Sequence, residues 1–340
     1  MNSSQRAQWF SAKADMSFRE ATDERSPAEV HAAVEAAIAS RFPRHTPARL
    51  IANGTMNSVW GFGTDHRRLA VKLPRVPDGD LDGVSSESYR VEAIALQQAL
   101  AGGVDAPRVA ALDRSRAVVP FDFLITDRED GPSLRALDED EDEDAILACY
   151  PAVATALRKT HSIQVTGVGL CLPDEDGELR GSMSHWGEYL GTRLNEHLGV
   201  LVGAGIVAVS ESSDIRDMLD PLRALTDRPT RLLHGDCGPH NMIRRIDGSV
   251  ALIDWEDATG GDPLFELAQW ATFNPRRRWS TMLDLYTGGT WLPDHLFWLY
   301  FLRITVAKLV VRARFRLPDL PGRPTARDRI EQALAELRVG

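Results

Sequence analysis

The chain has 340 residues, of which 39 are Lys or Arg and 49 are Asp or Glu, so its formal net charge is −10. This acidic balance argues against a nucleic-acid partner, because phosphate contacts require a basic surface. Hydrophobic residues make up 43% of the chain, which is typical of a globular protein whose core needs no disulfide bridges.

Cysteine usage and hydropathy indicate the compartment. The three cysteines are an odd number without a close-spaced pair, so no disulfide framework is expected. The N-terminal residues lack the apolar stretch of a signal peptide. The apolar run 296–311 is interrupted by Arg303 and Lys308, which predicts a buried helix instead of a membrane span. We therefore expect a cytoplasmic protein with no membrane partner.

The N-terminal third begins with an arm and a helix. Residues 1–26 are polar and without a pattern, which predicts a flexible N-terminal arm. A helix is predicted to begin at Ser26-Pro27, because serine caps helix N-termini and proline suits the first turn. Pro43 is predicted to end this helix.

The following residues, up to about 130, predict a sheet with one helix packed on it. The β-rich runs 50–62 and 69–73 contain a Gly/Asn turn, which is typical of a hairpin. Apolar residues recur at helical spacing over 85–100, and 118–126 is a further strand candidate. Residues 27–130 are therefore predicted to form one lobe.

Residues 131–340 are predicted to form a second, mainly helical lobe. The acidic run 137–144 is interpreted as a solvated helix face or a loop. Residues 167–181 are rich in Gly, Pro and Asp, which predicts a loop, and two short strands are expected between 231 and 255. The predicted helices cover 145–161, 185–201, 214–225 and the region after 263.

The segment 232–263 carries the strongest functional signal. Asp236 and Asn241 are five residues apart in a tight Gly/Pro loop, and Asp254 directly follows an apolar strand. Carboxylate and amide oxygens in such places are typical of metal or phosphate sites. Any one of the three side chains could instead stabilise its own turn through local hydrogen bonds. The occurrence of all three in this order favours a functional role.

A zinc or iron site is the alternative interpretation of the same segment. His234, Asp236, Cys237 and His240 offer ligand atoms of the right kinds. No second, distant pair of ligands accompanies them, and the asparagine and the strand-end aspartate would then have no role.

Three groups of residues together resemble the aminoglycoside phosphotransferase and choline kinase group, the small-molecule branch of the protein-kinase-like fold. They are His234-Gly235-Asp236 with Asn241, Ile253-Asp254-Trp255 eighteen residues after the first aspartate, and Gly261-Asp262-Pro263. The resemblance implies an α/β (α+β) fold with a small β-rich N-lobe and a larger α-rich C-lobe. It also implies ATP, with GTP as an alternative, and Mg²⁺ in the cleft between the lobes.

The resemblance implies a role for each residue of the motif. Asp236 would accept or orient the proton of the attacking hydroxyl, while Asn241 and Asp254 would bind Mg²⁺. His234 would orient the loop through hydrogen bonds. Asp262 would cap the next helix and brace the catalytic loop. The group often has Asp where this chain has Glu266, and the longer side chain makes the bracing contact there uncertain.

The N-terminal lobe would supply the nucleotide site. Lys72, in the apolar strand Ala70-Val71-Lys72, would pair with the α/β phosphates. Glu92 is predicted to be its partner on the helix, with Glu87 as the alternative. The hairpin loop lacks the G-x-G-x-x-G pattern of protein kinases, and an ordinary β-turn is the other interpretation. The remaining implied nucleotide contacts are Asn53, Gly54, Thr55, Ser58, Asp127, Ile243 and Ile253.

The acceptor is expected to be a hydroxyl of a small molecule. Only seven residues separate Asp254 from Asp262, and no A-P-E anchor follows, which leaves no room for a peptide-docking segment. Acidic residues of the helical lobe favour a cationic acceptor, such as an aminoglycoside, another antibiotic or an amino-sugar. Those residues are 138–144, Glu188, Glu196, Glu256 and Asp257.

Two alternatives remain at this point. One is a choline- or homoserine-type metabolite kinase, and the other is a nucleotide-binding protein without transfer activity. The protein is expected to be a monomer or a homodimer.

Overall fold

A computed structural model describes residues 26–54, 57–74, 84–140, 142–289, 292–314 and 324–339. It has a sheet-rich N-terminal part and a helical C-terminal part, as predicted from the sequence. Thr55 and all of the predicted arm except Ser26 lie outside the described residues.

The first described helix, α1 (Pro27–Arg41), begins where the sequence predicts. Ser26 Oγ accepts a hydrogen bond from the backbone N–H of Glu29, whose carboxylate accepts one from the backbone N–H of Ser26. This capping box satisfies two N–H groups that the first helical turn leaves without partners. The buried face of α1 consists of Val34, Ala37 and Ile38.

An antiparallel five-stranded sheet follows, with the strand order β1-β2-β3-β5-β4. Its strands are β1 (Arg49–Asn53), β2 (Asn57–Gly63), β3 (Arg68–Pro74), β4 (Val109–Asp113) and β5 (Phe123–Asp127). The helix α2 (Val84–Ala101) lies between β3 and β4 in the chain and buries Tyr89, Val91 and Ala95. Because β3 pairs with both β2 and β5, Lys72 lies on an inner strand of the sheet.

The prediction of a strand over 118–126 is partly wrong, since the strand begins only at Phe123. Pro120 has no N–H group for a strand ladder, and the preceding residues form bends. Val119 and Phe121 are nevertheless buried, so their apolar character reflects packing in the core and not pairing in the sheet. The strand β4 has no counterpart in the prediction.

The C-terminal part is built mainly from helices. The first five are α3 (Leu134–Glu139), α4 (Glu143–Thr160), α5 (Trp186–Gly191), α6 (Leu194–Gly203) and α7 (Val209–Leu219). The last four are α8 (Pro263–Phe273), α9 (Arg276–Thr287), α10 (His295–Arg314) and α11 (Ala326–Val339). The helix α10 is largely buried, as predicted from its apolar run. Across the described ranges, no helix combines the length and apolar composition that crossing a membrane requires.

The predicted loop 167–181 is wrong, because it contains the hairpin strands β6 (Val168–Pro173) and β7 (Leu179–Met183). Gly167 and Gly181 allow the two strands to pack closely, while Gly177, with a φ angle of +84°, lies in the turn between them. A Cβ on Gly181 would lie 2.3 Å from the backbone N of Val168, so no larger residue fits there.

Four short strands surround the functional segment: β8 (Arg231–Leu233), β9 (Met242–Arg244), β10 (Val250–Leu252) and β11 (Thr259–Gly261). The strands β9 and β10 pair with each other, while β8 and β11 join β6 and β7 in a second sheet. The loop 234–241 therefore connects two sheets, and Asp254 follows two residues after the end of β10.

Candidate active site

Lys72 lies at the centre of a charged cluster. Its ammonium Nζ is 2.8 Å from Glu92 Oε2, 2.5 Å from Asp254 Oδ1 and 2.9 Å from Glu256 Oε2. Burial alone would lower the pKa of Lys72, but the three carboxylates outweigh it and raise this pKa well above its ordinary value. Lys72 is therefore a cation at neutral pH, as binding of a phosphate requires. Glu87, the alternative partner, accepts a hydrogen bond from Arg114 instead.

Glu256 links this cluster to the hairpin loop. Its carboxylate accepts a hydrogen bond from Asn57 Nδ2 at 2.9 Å, and Asn57 Oδ1 accepts one from the hydroxyl of Tyr89 at 2.8 Å. The start of β2 is thereby held against the strand-end segment of the other lobe. Glu256 was expected from sequence to face the acceptor and Asn57 had no predicted role, so both residues are additions to the site.

Asp254 has an uncommon backbone conformation. Its φ angle is +66°, in the left-handed region that costs most residues about 1–3 kcal/mol. Aspartate is among the side chains that tolerate this region best. The turn directs the carboxylate towards Lys72 while leaving the side chain 41% exposed, so one side of the cluster is accessible to a ligand.

The catalytic-loop candidates form a second, adjoining group. Asp236 Oδ2 accepts hydrogen bonds from Asn241 Nδ2 at 3.1 Å and pairs with His240 Nε2 at 3.0 Å. Burial would raise the pKa of Asp236, but His240 and the charge of Lys308 outweigh burial and lower it. Asp236 is therefore a carboxylate at neutral pH. The backbone oxygen of Asn241 accepts a hydrogen bond from Ile253 N, which connects this group to Asp254.

The residues before Asp236 fix the loop to the strand-end segment. His234 is fully buried, and its Nε2 lies 2.8 Å from the carbonyl oxygen of Ile253. Gly235 has a φ angle of +86°, and a Cβ at this position would lie 1.8 Å from the carbonyl oxygen of Asp257. Only glycine fits both the conformation and this close approach.

Helix α8 braces the loop through Glu266, whose bracing contact the sequence left open, and through Gln269, which had no predicted role. Glu266 Oε1 accepts a hydrogen bond from Gly235 N at 2.8 Å, and Gln269 Nε2 donates one to Gly235 O at 2.7 Å. Glu266 Oε2 also pairs with His161 Nε2 at 2.9 Å. Asp262 caps α8 as predicted, but its contacts are Leu264 N, Arg228 and Tyr300, so the bracing role belongs to Glu266.

Replacing Glu266 by Gln is expected to lower the free energy of unfolding at pH 7 by about 1–3 kcal/mol, because a buried charged hydrogen-bond acceptor is lost. Burial alone would raise the pKa of Glu266. The hydrogen bond and the charge of His161, together with the hydrogen bond from the N–H of Gly235, outweigh burial and lower this pKa. The ionised carboxylate therefore stabilises the fold above the unfolded-state pKa, and this contribution is lost as the pH falls through the folded-state pKa. Denaturant titrations at pH 7 and at pH 4 should show the stability gap between the two proteins shrinking at the lower pH. A gap that stays constant would contradict the assignment.

The other predicted nucleotide-contacting residues of the N-terminal lobe lie on or beside β1, β2 and β5. Gly54 N donates to Asn57 O at 2.9 Å within the hairpin, and the hydroxyl of Ser58 accepts from Trp60 Nε1 at 3.2 Å. Asn53 is the last residue of β1 and is exposed. Asp127, at the end of β5, pairs with Arg67.

The two isoleucines proposed for the floor under the base differ in burial. Ile243 is 9% exposed on β9, while Ile253 is half-buried between β10 and Asp254. The contact of either isoleucine with a base remains a prediction.

The alternative zinc or iron site does not form in the described part of the chain. The only group of close His, Cys, Asp or Glu ligand atoms found there is Glu92, Asp254 and Glu256, within 4.8 Å of one another. Cys237 is buried, and the Nε2 of His234 faces a carbonyl oxygen.

The donor set of the cluster fits Mg²⁺. All three grouped atoms are carboxylate oxygens, the ligands that this hard cation prefers. Asn241 donates both of its amide hydrogen bonds to Asp236, and its amide oxygen accepts no hydrogen bond from the described residues. That oxygen is therefore available to a ligand beside Asp254.

A cavity of about 370 Å³ opens beside Asp236. Its walls come from β6, β8, α5, α6, α8 and α10, with Asp236, Asp257, Phe265, Arg303 and Lys308 among the lining residues. This volume lies within the usual range for small-molecule sites, about 300–1,000 Å³.

Most of the acidic residues that suggested a cationic acceptor lie elsewhere. Asp138 and Glu143 pair with Arg278, Glu196 pairs with Arg193, and Glu256 belongs to the Lys72 cluster. Among the described members of that set, the cavity is lined only by Asp257. Within the acidic run, Asp138 and Glu143 connect helices α3 and α4 to α9 through Arg278.

Comparisons with known proteins agree on the architecture. The model of the phosphotransferase enzyme family matches residues 47–298. A thermostable mutant of aminoglycoside phosphotransferase APH(4)-Ia, solved with ADP and hygromycin B, has a TM-score of 0.64 at 18% identity, covering 90% of this chain and 97% of that chain. A putative fructosamine-3-kinase from Haemophilus somnus 129PT has a TM-score of 0.59 at 14% identity, covering 91% and 96%.

Choline kinase LicA from Streptococcus pneumoniae has a TM-score of 0.59 at 16% identity, covering 92% of this chain and 100% of that chain. No curated protein matches this chain in sequence. The structural likenesses show a kinase-like fold for the chain.

Proposed function

Since the chain belongs to the phosphotransferase enzyme family, we propose that it transfers the γ-phosphoryl group of ATP to a hydroxyl group of a small molecule. One observation carries the proposal. The lysine of the N-terminal sheet, Lys72, is within 2.5 Å of Asp254, while Asn241 connects the Asp254 segment to Asp236 beside a cavity. This connection between a cation suited to phosphate binding and a carboxylate beside a cavity supports the proposal.

In the proposed reaction, the acceptor oxygen forms a bond to the γ-phosphorus and the bond to the β-phosphate bridging oxygen breaks. The products are ADP, the phosphate ester of the acceptor and the proton of the hydroxyl. Asp236 orients the hydroxyl and accepts its hydrogen bond, because its low pKa keeps it ionised. Lys72 binds the phosphates of the nucleotide, and Glu92 holds Lys72 in place.

Asp254 and Asn241 are the proposed Mg²⁺ ligands, with Glu256 as a further carboxylate of the same cluster. The ion, when bound, would neutralise charge on the phosphates. The backbone around Asn53, Gly54 and Ser58 is proposed to cover the phosphates, and the backbone near Asp127 to bind adenine.

The acceptor class is a separate question. Aminoglycosides, other antibiotics and amino-sugars were the expectation from sequence, and APH(4)-Ia was solved with hygromycin B. If the acceptor is an antibiotic, the proposed role of the protein is antibiotic resistance. The protein is further proposed to be cytoplasmic and to be a monomer or a homodimer. Asp257 is the carboxylate that could meet an acceptor cation, whereas the guanidinium of Arg303 favours a different acceptor. A metabolite kinase is therefore the second candidate.

Thermal unfolding with and without Mg·ATP tests the proposal. We expect Mg·ATP to raise the unfolding midpoint of the protein in a concentration-dependent manner, because it binds only the folded state. The variant Lys72→Met should lose this response, and Mg·GTP tested in parallel identifies the donor. If Lys72→Met responded to both nucleotides like the parent protein, the proposed nucleotide site would be wrong.

A further inference from the structure

Helix α10 contributes two basic side chains to the cavity beside Asp236. They are Arg303 and Lys308, which line it together with Ile304, Ala307 and Val311 of the same helix face. Lys308 is five positions after Arg303, so the two lie about 7.5 Å apart along the helix axis. Lys308 is at the catalytic end, where burial lowers its pKa well below the ordinary value, and Arg303 is at the far end beside α5.

Arg303 is buried, and among the residues that the structure describes it has no carboxylate partner. It is 8% exposed, and its hydrogen bonds go to the carbonyl oxygens of Leu190 and Thr192, at 2.6 and 2.8 Å. Burial lowers the pKa of Arg303 to about 10, so the guanidinium is still charged at neutral pH. A buried cation whose charge is not neutralised is costly, which makes a bound anion the expected complement.

His197 of α6 supplies a second, independent indication at the same end of the cavity. The side chain is 8% exposed and lines the cavity, and its Nδ1 has no hydrogen-bond partner among the described residues. Burial, together with the charges of Arg303 and Arg193, lowers the pKa of His197 to about 4. The imidazole is therefore neutral at pH 7 and can donate one hydrogen bond to a ligand.

The carboxylates of the cavity lie at its catalytic end. Asp236 is bonded to His240 and Asn241, and Glu266 to Gly235 and His161. The backbone of Asp257 packs against Gly235 in the same loop. The cavity thus has an acidic end at the catalytic loop and a cationic end between α5, α6 and α10.

We propose that the acceptor carries an anionic group, a carboxylate or a phosphate, which binds Arg303 and His197 while the acceptor hydroxyl faces Asp236. This inference rests on the proposed function, because it assumes that the cavity is the acceptor site. It assigns Arg303 and His197 as residues that determine specificity, and it opposes the cationic acceptor expected from sequence.

The test measures thermal unfolding in the presence of saturating Mg·AMP-PNP, which keeps added anions out of the nucleotide site. The probes are malonate for the carboxylate source and inorganic phosphate for the phosphate source. Glucuronate, glucose and glucosamine are added as sugars that share a ring and differ in charge. At ten times its dissociation constant, a bound probe should raise the midpoint by about 2 °C.

In the parent protein we expect a shift with malonate or phosphate, and a larger shift with glucuronate than with glucosamine. Arg303→Met should abolish the anion response. Arg277→Met, the same change at an exposed position of α9, should keep it. The proposal is overturned if Arg303→Met responds like the parent protein, if no anionic probe shifts the midpoint, or if glucosamine shifts it more than glucuronate does.

A second variant keeps the test decisive if Arg303→Met does not fold. His197→Phe retains the ring volume and removes the unpartnered nitrogen, so the anion-induced shift should fall at least by half. An unchanged shift in this variant overturns the proposal. Failure of the proposed function would instead appear as Lys72→Met binding Mg·ATP normally, with the Arg303-dependent anion response intact, so the two failures are distinguishable.

Discussion

Replacing Asp236 by Asn is expected to lower the rate of phosphoryl transfer by about 10²- to 10⁴-fold, the usual contribution of a positioned acid or base. Asn keeps the size of the side chain but cannot accept a proton. The hydrogen bonds that now reach Asp236 come from His240 and Asn241, and Lys72 is not among its partners. The affinity for Mg·ATP should therefore change by less than about threefold.

Two measurements on the Asp236→Asn variant check this expectation: ADP formation with an acceptor panel, and equilibrium titration with Mg·ATP. Asp217→Asn is the matched control, since Asp217 is an exposed residue of α7. If Asp236→Asn transferred phosphate at the parent rate, Asp236 would not be the group that serves the acceptor. The same experiment separates a transferase from a protein that only binds nucleotide, because the latter shows no turnover to lose.

Replacing Asp254 by Asn should weaken the binding of Mg·ATP by more than about 100-fold, because even residues behind a metal ligand contribute about 10- to 100-fold. Asn also tolerates the left-handed backbone conformation of this position, so the turn should be kept. In the absence of nucleotide, the variant should be at least as stable as the parent protein. Removing one carboxylate leaves Lys72 paired with Glu92 and Glu256 and reduces the repulsion among the acidic groups.

Isothermal titration with Mg·ATP measures the first effect, and denaturant unfolding without nucleotide measures the second. A variant with unchanged Mg·ATP affinity would show that Asp254 is not a ligand of the metal. A variant that lost both affinity and stability would show that Asp254 acts by holding the turn, not by binding Mg²⁺.

The family and the mixed fold could be predicted from the sequence because the evidence for both is local. Asp236 and Asn241 lie within one short loop, and Asp254 follows two residues after the last strand of the adjacent hairpin. The spacing of these three residues along the chain therefore indicates that they lie close together in space. Comparison with known proteins confirms the family and the fold class.

Residues that depend on long-range packing were harder to predict. Glu266 is 31 residues from Gly235 along the chain, and the braced contact exists only because α8 packs beside the loop. Arg303 interrupts an apolar run in the sequence, which indicates a buried charge but not the cavity that it lines. The pairing of Lys72 with Glu92 and not Glu87 depends on the phase of α2 relative to the sheet.

Composition was misleading in two places. The glycines of 167–181 are typical of a loop, yet Gly167 and Gly181 permit the close approach of β6 and β7. The acidic run 137–144 suggested a site for a cation, but Asp138 and Glu143 instead pair with Arg278 of α9. In both places the residue type alone does not show which residue it packs against or pairs with in the fold.

In the proposed function, Asp254 binds the metal–nucleotide complex while Asp236 orients the acceptor hydroxyl. Equilibrium titration of Mg·ATP into Asp236→Asn and Asp254→Asn, side by side with the parent protein, separates these two roles. We expect the first variant to bind like the parent and the second to bind at least about 100-fold more weakly. Equal binding by both variants, or equal loss in both, would show that the two roles are wrongly assigned.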